Sequence, residues 1–171
     1  MVDQPKVEPY EASSFFADGL SARPVSENTV PRSAPLEEDG LYTGRVNGEP
    51  IPTVPLPLSE SLLERGQERY DVYCTPCHGR AGYGDGIIVQ RGFPAPPSFH
   101  QQRLRQAPDG YYFDVISNGL GAMYSYANRV PVEDRWAIIA HIRALQLSQN
   151  ASLKELPAFD VEQIEESGNG D

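Results

Sequence analysis

The chain has 171 residues, of which 24 are acidic and 14 basic, a net charge of -10 that argues against nucleic acid or an anionic membrane surface as partner. Sixteen prolines and fifteen glycines point to much irregular structure, so a small core with long extended flanks is expected. No apolar run approaches the roughly 20 residues needed to span a bilayer, and MVDQPKVEPYEASS lacks the basic and apolar blocks of a secretory signal, so as written the chain reads as soluble, with any signal lying before Met1.

Residues 1–58 hold nine of the sixteen prolines and sustain neither a helical nor an alternating apolar pattern. This segment reads as an extended Pro-rich arm. Its apolar residues cluster at Phe15 and Phe16, at Leu41 and Tyr42, and in IPTVPLPL, and such clusters suit anchors on partner subunits; a plain linker is the alternative. Charge divides along similar lines: 1–57 and 149–171 are each acidic, and the stretch between them is neutral.

The pattern changes at Ser59, an N-cap candidate, after which Leu62, Leu63, Tyr70 and Tyr73 recur at helical spacing up to the cysteines. Gly66 inside this helix costs about 1 kcal/mol against Ala, so close approach of a second helix is expected there. Gly79 to Pro97 is turn-rich and then apolar, Asp109 to Asn118 reads as a short helix, and Val132 to Leu147 is the strongest helical pattern, with Trp136, Ile139, Ala140, Ile142 and Leu145 on its apolar face. The acidic tail, 149–171, reads as mobile. The fold class is therefore all-α, with one domain at 59–148.

The only two cysteines, Cys74 and Cys77, are followed by His78. In a CxxCH motif two thiols one helical turn apart bond the two vinyl groups of a haem, and the next residue reaches its iron. A thioredoxin-like pair would want a strand before it and a helix after it, and a zinc site needs further ligands where only His100 and His141 remain beside carboxylates. One covalent haem c is the expected cofactor. Its sixth iron position separates electron transfer from catalysis. Met123, in the Gly-rich loop NGLGAMYSYA, is the favoured ligand; His100 reads as a surface or haem-edge residue and His141 as a packed helix histidine. Pro96 and Pro97 could offer a carbonyl to the second nitrogen of His78, although an ordinary loop explains them equally well. Arg91, Tyr124 and Tyr126 are candidates to donate to the haem propionates or the methionine sulfur, against surface or packing roles. GRAGYGDG lacks the strand, helix and lysine of a phosphate loop and reads as turns around the haem.

From Leu58 to Leu147 the helix with Gly66 and Tyr70, the CxxCH, the Pro-bearing loop, the short helix, the Met loop and the last helix resemble a class I cytochrome c. That resemblance implies a crossing of first and last helices at Gly66, with Trp136 or His141 filling the contact. The flanks add DQPKVEP, FFADGLSARPV, NTVPR and LYTG, and with GDGIIVQRGF, PPSFH, RLRQAP, FDVISNGLGAM and DRWAIIAHIRALQLSQ the chain is similar to the monohaem cytochrome c subunit of bacterial alternative complex III. This implies His78/Met123 ligation and one-electron transfer with no substrate chemistry on the haem. It also implies a place in a membrane quinol oxidoreductase, beside multihaem cytochrome subunits and a soluble or oxidase-bound acceptor. The expected location is the periplasmic side of the membrane, peripheral or lipid-anchored through a residue before this chain. A freely diffusing periplasmic cytochrome and a haem enzyme or gas sensor with an open sixth position are the competing readings.

Overall fold

A computed structural model describes residues 6–8, 11–24, 26–29 and 40–152. It divides at Pro35 into two units. The acidic tail from residue 153 and parts of the expected arm, residues 1–5, 9–10, 25 and 30–39, lie outside the described residues. In the first unit a single bridge pairs Ala12 with Leu20, and the Ser13 amide donates to the Gly19 carbonyl at 2.9 Å. Arg23 closes this turn by pairing with Asp18 at 2.7 Å and lying 4.1 Å over the Phe16 ring. Phe15 meets Phe16 edge-on and stays 86% exposed.

The second unit contains α1 (Gly40–Thr43), the strand pair β1 (Arg45–Val46) and β2 (Glu49–Pro50), then α2 (Glu60–Tyr73), α3 (Thr75–His78), α4 (Ile87–Gln90), α5 (Gln102–Arg105), α6 (Asp109–Asn118) and α7 (Val132–Ser148). Apart from that two-residue ladder the unit is helical, as expected. Ser59 caps α2 by accepting from the Leu62 amide at 3.2 Å.

Helix α2 crosses α7 at Gly66. A Cβ there would collide with the Ala137 carbonyl and press on His141, so only glycine lets the two backbones meet. One turn on, Tyr70 is fully buried with its ring 5.2 Å from that of His141. His141, not Trp136, fills the contact. Trp136 faces the other way, stacked on Phe113 at 4.4 Å, and these rings form the core with Val130, Ile138 and Ile139.

The expected boundary at Ser59 is too late. Leu41, Ile51, Val54 and Leu56 pack on the core, and the Trp136 indole donates to the Leu41 carbonyl at 2.6 Å. The first amides of a helix have no partner within it. In α6, Asp109 and Gly110 donate theirs to the carbonyls of Pro52, at 3.3 Å, and Ile51, at 2.9 Å, while the Asp109 carboxylate accepts from the Val54 amide at 2.8 Å. An extended Pro-rich strip shows no periodicity, yet its free carbonyls suit this capping role. Residues 40–56 belong to the domain rather than to an arm.

Candidate functional site

The CxxCH motif is a helical turn. Cys74 ends α2 by donating its amide to Tyr70 at 2.8 Å and begins α3, where the His78 amide donates back to Cys74 at 2.8 Å. Pro76 is tolerated there because the first turn of a helix has no use for its amide. The turns that follow grip this helix: the Gly84 amide donates to the His78 carbonyl at 2.8 Å and the Gly86 amide to Cys77 at 3.1 Å. GRAGYGDG thus acts as a brace beneath the motif.

Cys74, Cys77 and His78 line a largely apolar cavity of about 500 Å³, and Met123 lines it too. Neither cysteine is in a disulfide. Burial pushes the Cys74 thiol up to about 12, with Cys77 adding to the shift, the opposite of the lowered value a reactive redox thiol needs. Burial also pulls His78 down to about 4, which keeps its imidazole neutral and its lone pair available to a metal. Its Nδ1 is buried and meets no hydrogen-bond partner among the described residues. No cluster of three or more His, Cys, Asp or Glu able to hold a bare ion occurs among the described residues. An apolar cavity with two free thiols, a neutral imidazole and a thioether fits haem c.

Met123 comes from a fixed loop. Leu120 and Met123 exchange backbone hydrogen bonds at 2.9 and 3.0 Å, and the Tyr126 amide donates to the Ile116 carbonyl at 2.9 Å. Buried Arg135 ties the far end, donating to the carbonyls of Val130 at 2.9 Å and Ala127 at 3.1 Å and to the Ser117 hydroxyl at 2.8 Å.

Tyr126 lies on the cavity wall, half-buried and edge-on to Tyr73, its hydroxyl pushed up by burial and by the nearby cysteines. Tyr124 is also at the wall but 83% exposed. Pro96 and Pro97 line the cavity, yet neither carbonyl receives a hydrogen bond from His78; that of Pro96 lies against Gly84 instead. His100 is outside the lining, with a ring nitrogen 2.6 Å from the Ala81 carbonyl and its ring against Tyr83. His141 is the packed helix histidine expected.

Arg91 is exposed at the end of α4 and is not among the residues that line the cavity, although its neighbours Ile88 and Phe93 are; the arginine in the lining is Arg103, from α5. Phe99 also went unread in the sequence. Its ring stacks on that of His78, centroids 4.6 Å apart and planes 12° from parallel. An aromatic two residues after Pro97 was the available signal.

Residues 61–142 match the family model described as cytochrome c oxidase, cbb3-type, subunit III. The match over that segment supports a class I cytochrome c domain, and such a domain implies covalent haem c and haem-based electron transfer. No curated protein matches the chain. Among solved structures, the reducing HAO-like protein complex of Kuenenia stuttgartiensis is similar over 57% of this chain at 27% identity, with a TM-score of 0.44. The match spans about half of that structure's chain, 51%.

Proposed function

We propose that this chain, with its class I cytochrome c domain at residues 61–142, is a fixed one-electron relay in a membrane quinol-oxidising complex of the alternative complex III type. A single haem c would be held by Cys74 and Cys77 through thioether bonds, with His78 and Met123 as the side chains that would donate to its iron. The observation that carries this reading is the convergence of those four side chains on one apolar cavity. When bound, the haem supplies a one-electron iron couple.

The protein's residues do the rest. His78 presents a neutral imidazole because burial opposes its protonation. Met123 presents a thioether, which favours reduced iron and raises the potential relative to a second histidine. With both side chains bound to the iron, no position would remain for oxygen or peroxide. The braces on either side, Gly84 and Gly86 on the CxxCH turn and Arg135 on the Met loop, hold these donors so that little moves when the charge changes.

Membership of a complex is supported by the sequence similarity of the flanks, which a solitary cytochrome does not need. The relay would face the periplasm, held peripherally or by a lipid anchor on a residue before this chain, taking electrons from multihaem subunits and passing them to a soluble or oxidase-bound acceptor. Purification of membranes in mild detergent tests this. The haem polypeptide should copurify with multihaem and iron-sulfur subunits; its release alone, in salt and without detergent, would favour the freely diffusing carrier.

A further inference from the structure

The arginines of the helical unit divide into two sets. Arg45 pairs with Asp114, Arg65 and Arg69 with Asp134, and Arg143 with Asp109, while Arg135 is spent on carbonyls. Arg80, Arg91, Arg103, Arg105 and Arg129 are exposed and pair with no carboxylate among the described residues. These five fall in residues 79–108 and 119–131, the stretches that flank α6 and border the cavity, and those stretches carry one acidic residue, Asp85. Arg103 lines the cavity, Arg91 follows the lining residue Ile88 and precedes Phe93, and the Arg129 charge is felt at the Tyr126 hydroxyl. The rim is otherwise apolar: Ile88, Phe93, Leu120 and Tyr124 line the cavity and remain exposed. In a chain of net charge -10, the mouth of the cavity is thus both basic and apolar.

Its chemical complement lies in the same chain. Residues 153–171 hold six acidic residues against one lysine, interleaved with Leu156, Phe159, Val161 and Ile164. They follow α7, and the end of α7 is tied to this side of the fold. Oε1 of Gln149 accepts from the Tyr83 hydroxyl at 2.7 Å, and the next residue, Gly84, lies against the carbonyl of Pro96 on the cavity wall. Fully extended, residues 153–171 reach roughly 60 Å, ample for a domain whose radius of gyration at this size is roughly 13 Å. A tether of that length keeps its carboxylates near the face at an effective concentration on the order of millimolar.

We propose that the acidic segment 153–171 binds, within its own molecule, to the arginine-flanked apolar face at the mouth of the cavity. Its carboxylates meet Arg91, Arg103 and Arg129, and its apolar side chains cover Phe93, Leu120 and Tyr124. An acidic partner docking at this mouth must then displace the segment first. That consequence for electron transfer rests on the haem reading; the binding itself does not.

The arginine Nε–Hε resonances of the reduced full-length holoprotein test this. Wild type is compared with a variant carrying Glu155→Gln, Asp160→Asn, Glu162→Gln, Glu165→Gln and Glu166→Gln. The neutralised variant should show shifted resonances for Arg91, Arg103 and Arg129, with Arg45 and Arg143 in place. Roughly 1 M salt, where the screening length is about 3 Å, should move the wild-type resonances most of the way to those of the variant. Identical Arg91, Arg103 and Arg129 resonances in the two proteins would overturn the proposal. Equal shifts at Arg45 and Arg143 would also overturn it, since they report net charge alone. Differences that grow with protein concentration would put the segment on a second copy and end the intramolecular reading. Should the purified chain carry no covalent haem, the haem reading falls, while the same resonances still decide the binding; covalent haem with unmoved resonances sinks the inference alone.

Discussion

The hydroxyl of fully buried Tyr70 donates to the Gly79 carbonyl at 2.7 Å, tying the body of α2 to the residue that follows His78. Burial holds this phenol well above its usual range, so it remains a donor at all working pH values. Tyr70→Phe keeps the ring against His141 and leaves the Gly79 carbonyl with the Gly82 amide, at 3.3 Å, as its remaining donor. Loss of one such hydrogen bond costs about 0.5–1.5 kcal/mol, so the urea midpoint of the holoprotein should fall by that equivalent while covalent haem is retained. An unchanged midpoint would mean that water replaces the hydroxyl.

Truncation separates the two units. Removing residues 1–35 takes away only the first unit, and the remaining domain should keep its haem and its thermal midpoint to within a few degrees. Removing residues 1–57 deprives the Asp109 and Gly110 amides and the Trp136 indole of their acceptors and uncovers core. At about 1–3 kcal/mol for each buried donor, against a total stability of roughly 5–15 kcal/mol, that form should be unfolded or nearly so. Circular dichroism of the two truncations is the check.

Stability should also depend on pH through His141. Burial lowers its pKa from the ordinary 6.5, with Asp71 acting weakly the other way. The folded chain therefore binds this proton less readily than the unfolded chain does. Stability from this source is complete above pH 6.5 and is lost as the pH falls below it. Between pH 7.5 and 5.5 the wild-type denaturation midpoint should fall more steeply than that of His141→Gln; equal slopes would show that His141 stays reachable by water.

The long elements were legible because periodicity and capping are local: Ser59 with α2, the whole of α6, and α7 follow from the order of residues alone. Gly66 was legible as a close approach since a glycine inside a strong helix needs a reason. Its partner was not, because Trp136 and His141 lie on the same helix and only the crossing angle decides which one meets Tyr70. The strip at 40–56 was misread for a related reason. Part of its contribution lies in backbone carbonyls offered to α6, and these leave no side-chain pattern. At the site, Cys74, Cys77, His78 and Met123 announce themselves by chemistry. Arg91 and Arg103 are chemically alike, so only the path of the loop could choose between them.

Met123→Ala should convert a closed site into an open one. The cavity wall loses its thioether while the loop that carries it keeps its backbone bonds and its Arg135 ties. The reduced variant is expected to bind carbon monoxide at neutral pH, where the wild type does not, and its reduction potential should drop because a methionine ligand favours reduced iron. Carbon monoxide binding by the reduced wild type would remove Met123 from the ligand set.

Arg103 and Arg91 offer a paired test of what the cavity wall does to the redox couple. Arg103 is the cationic side chain among the described residues that line that wall, whereas Arg91 is exposed and outside the lining. A fixed positive charge near the iron stabilises the electron-rich state, so Arg103→Gln should lower the reduction potential by on the order of tens of millivolts. Arg91→Gln should leave it within the error of a redox titration. Because Arg103 is solvent-exposed, its effect should shrink between low salt and roughly 1 M salt, where the screening length falls to about 3 Å. Equal shifts from the two variants would assign the effect to net charge instead of position.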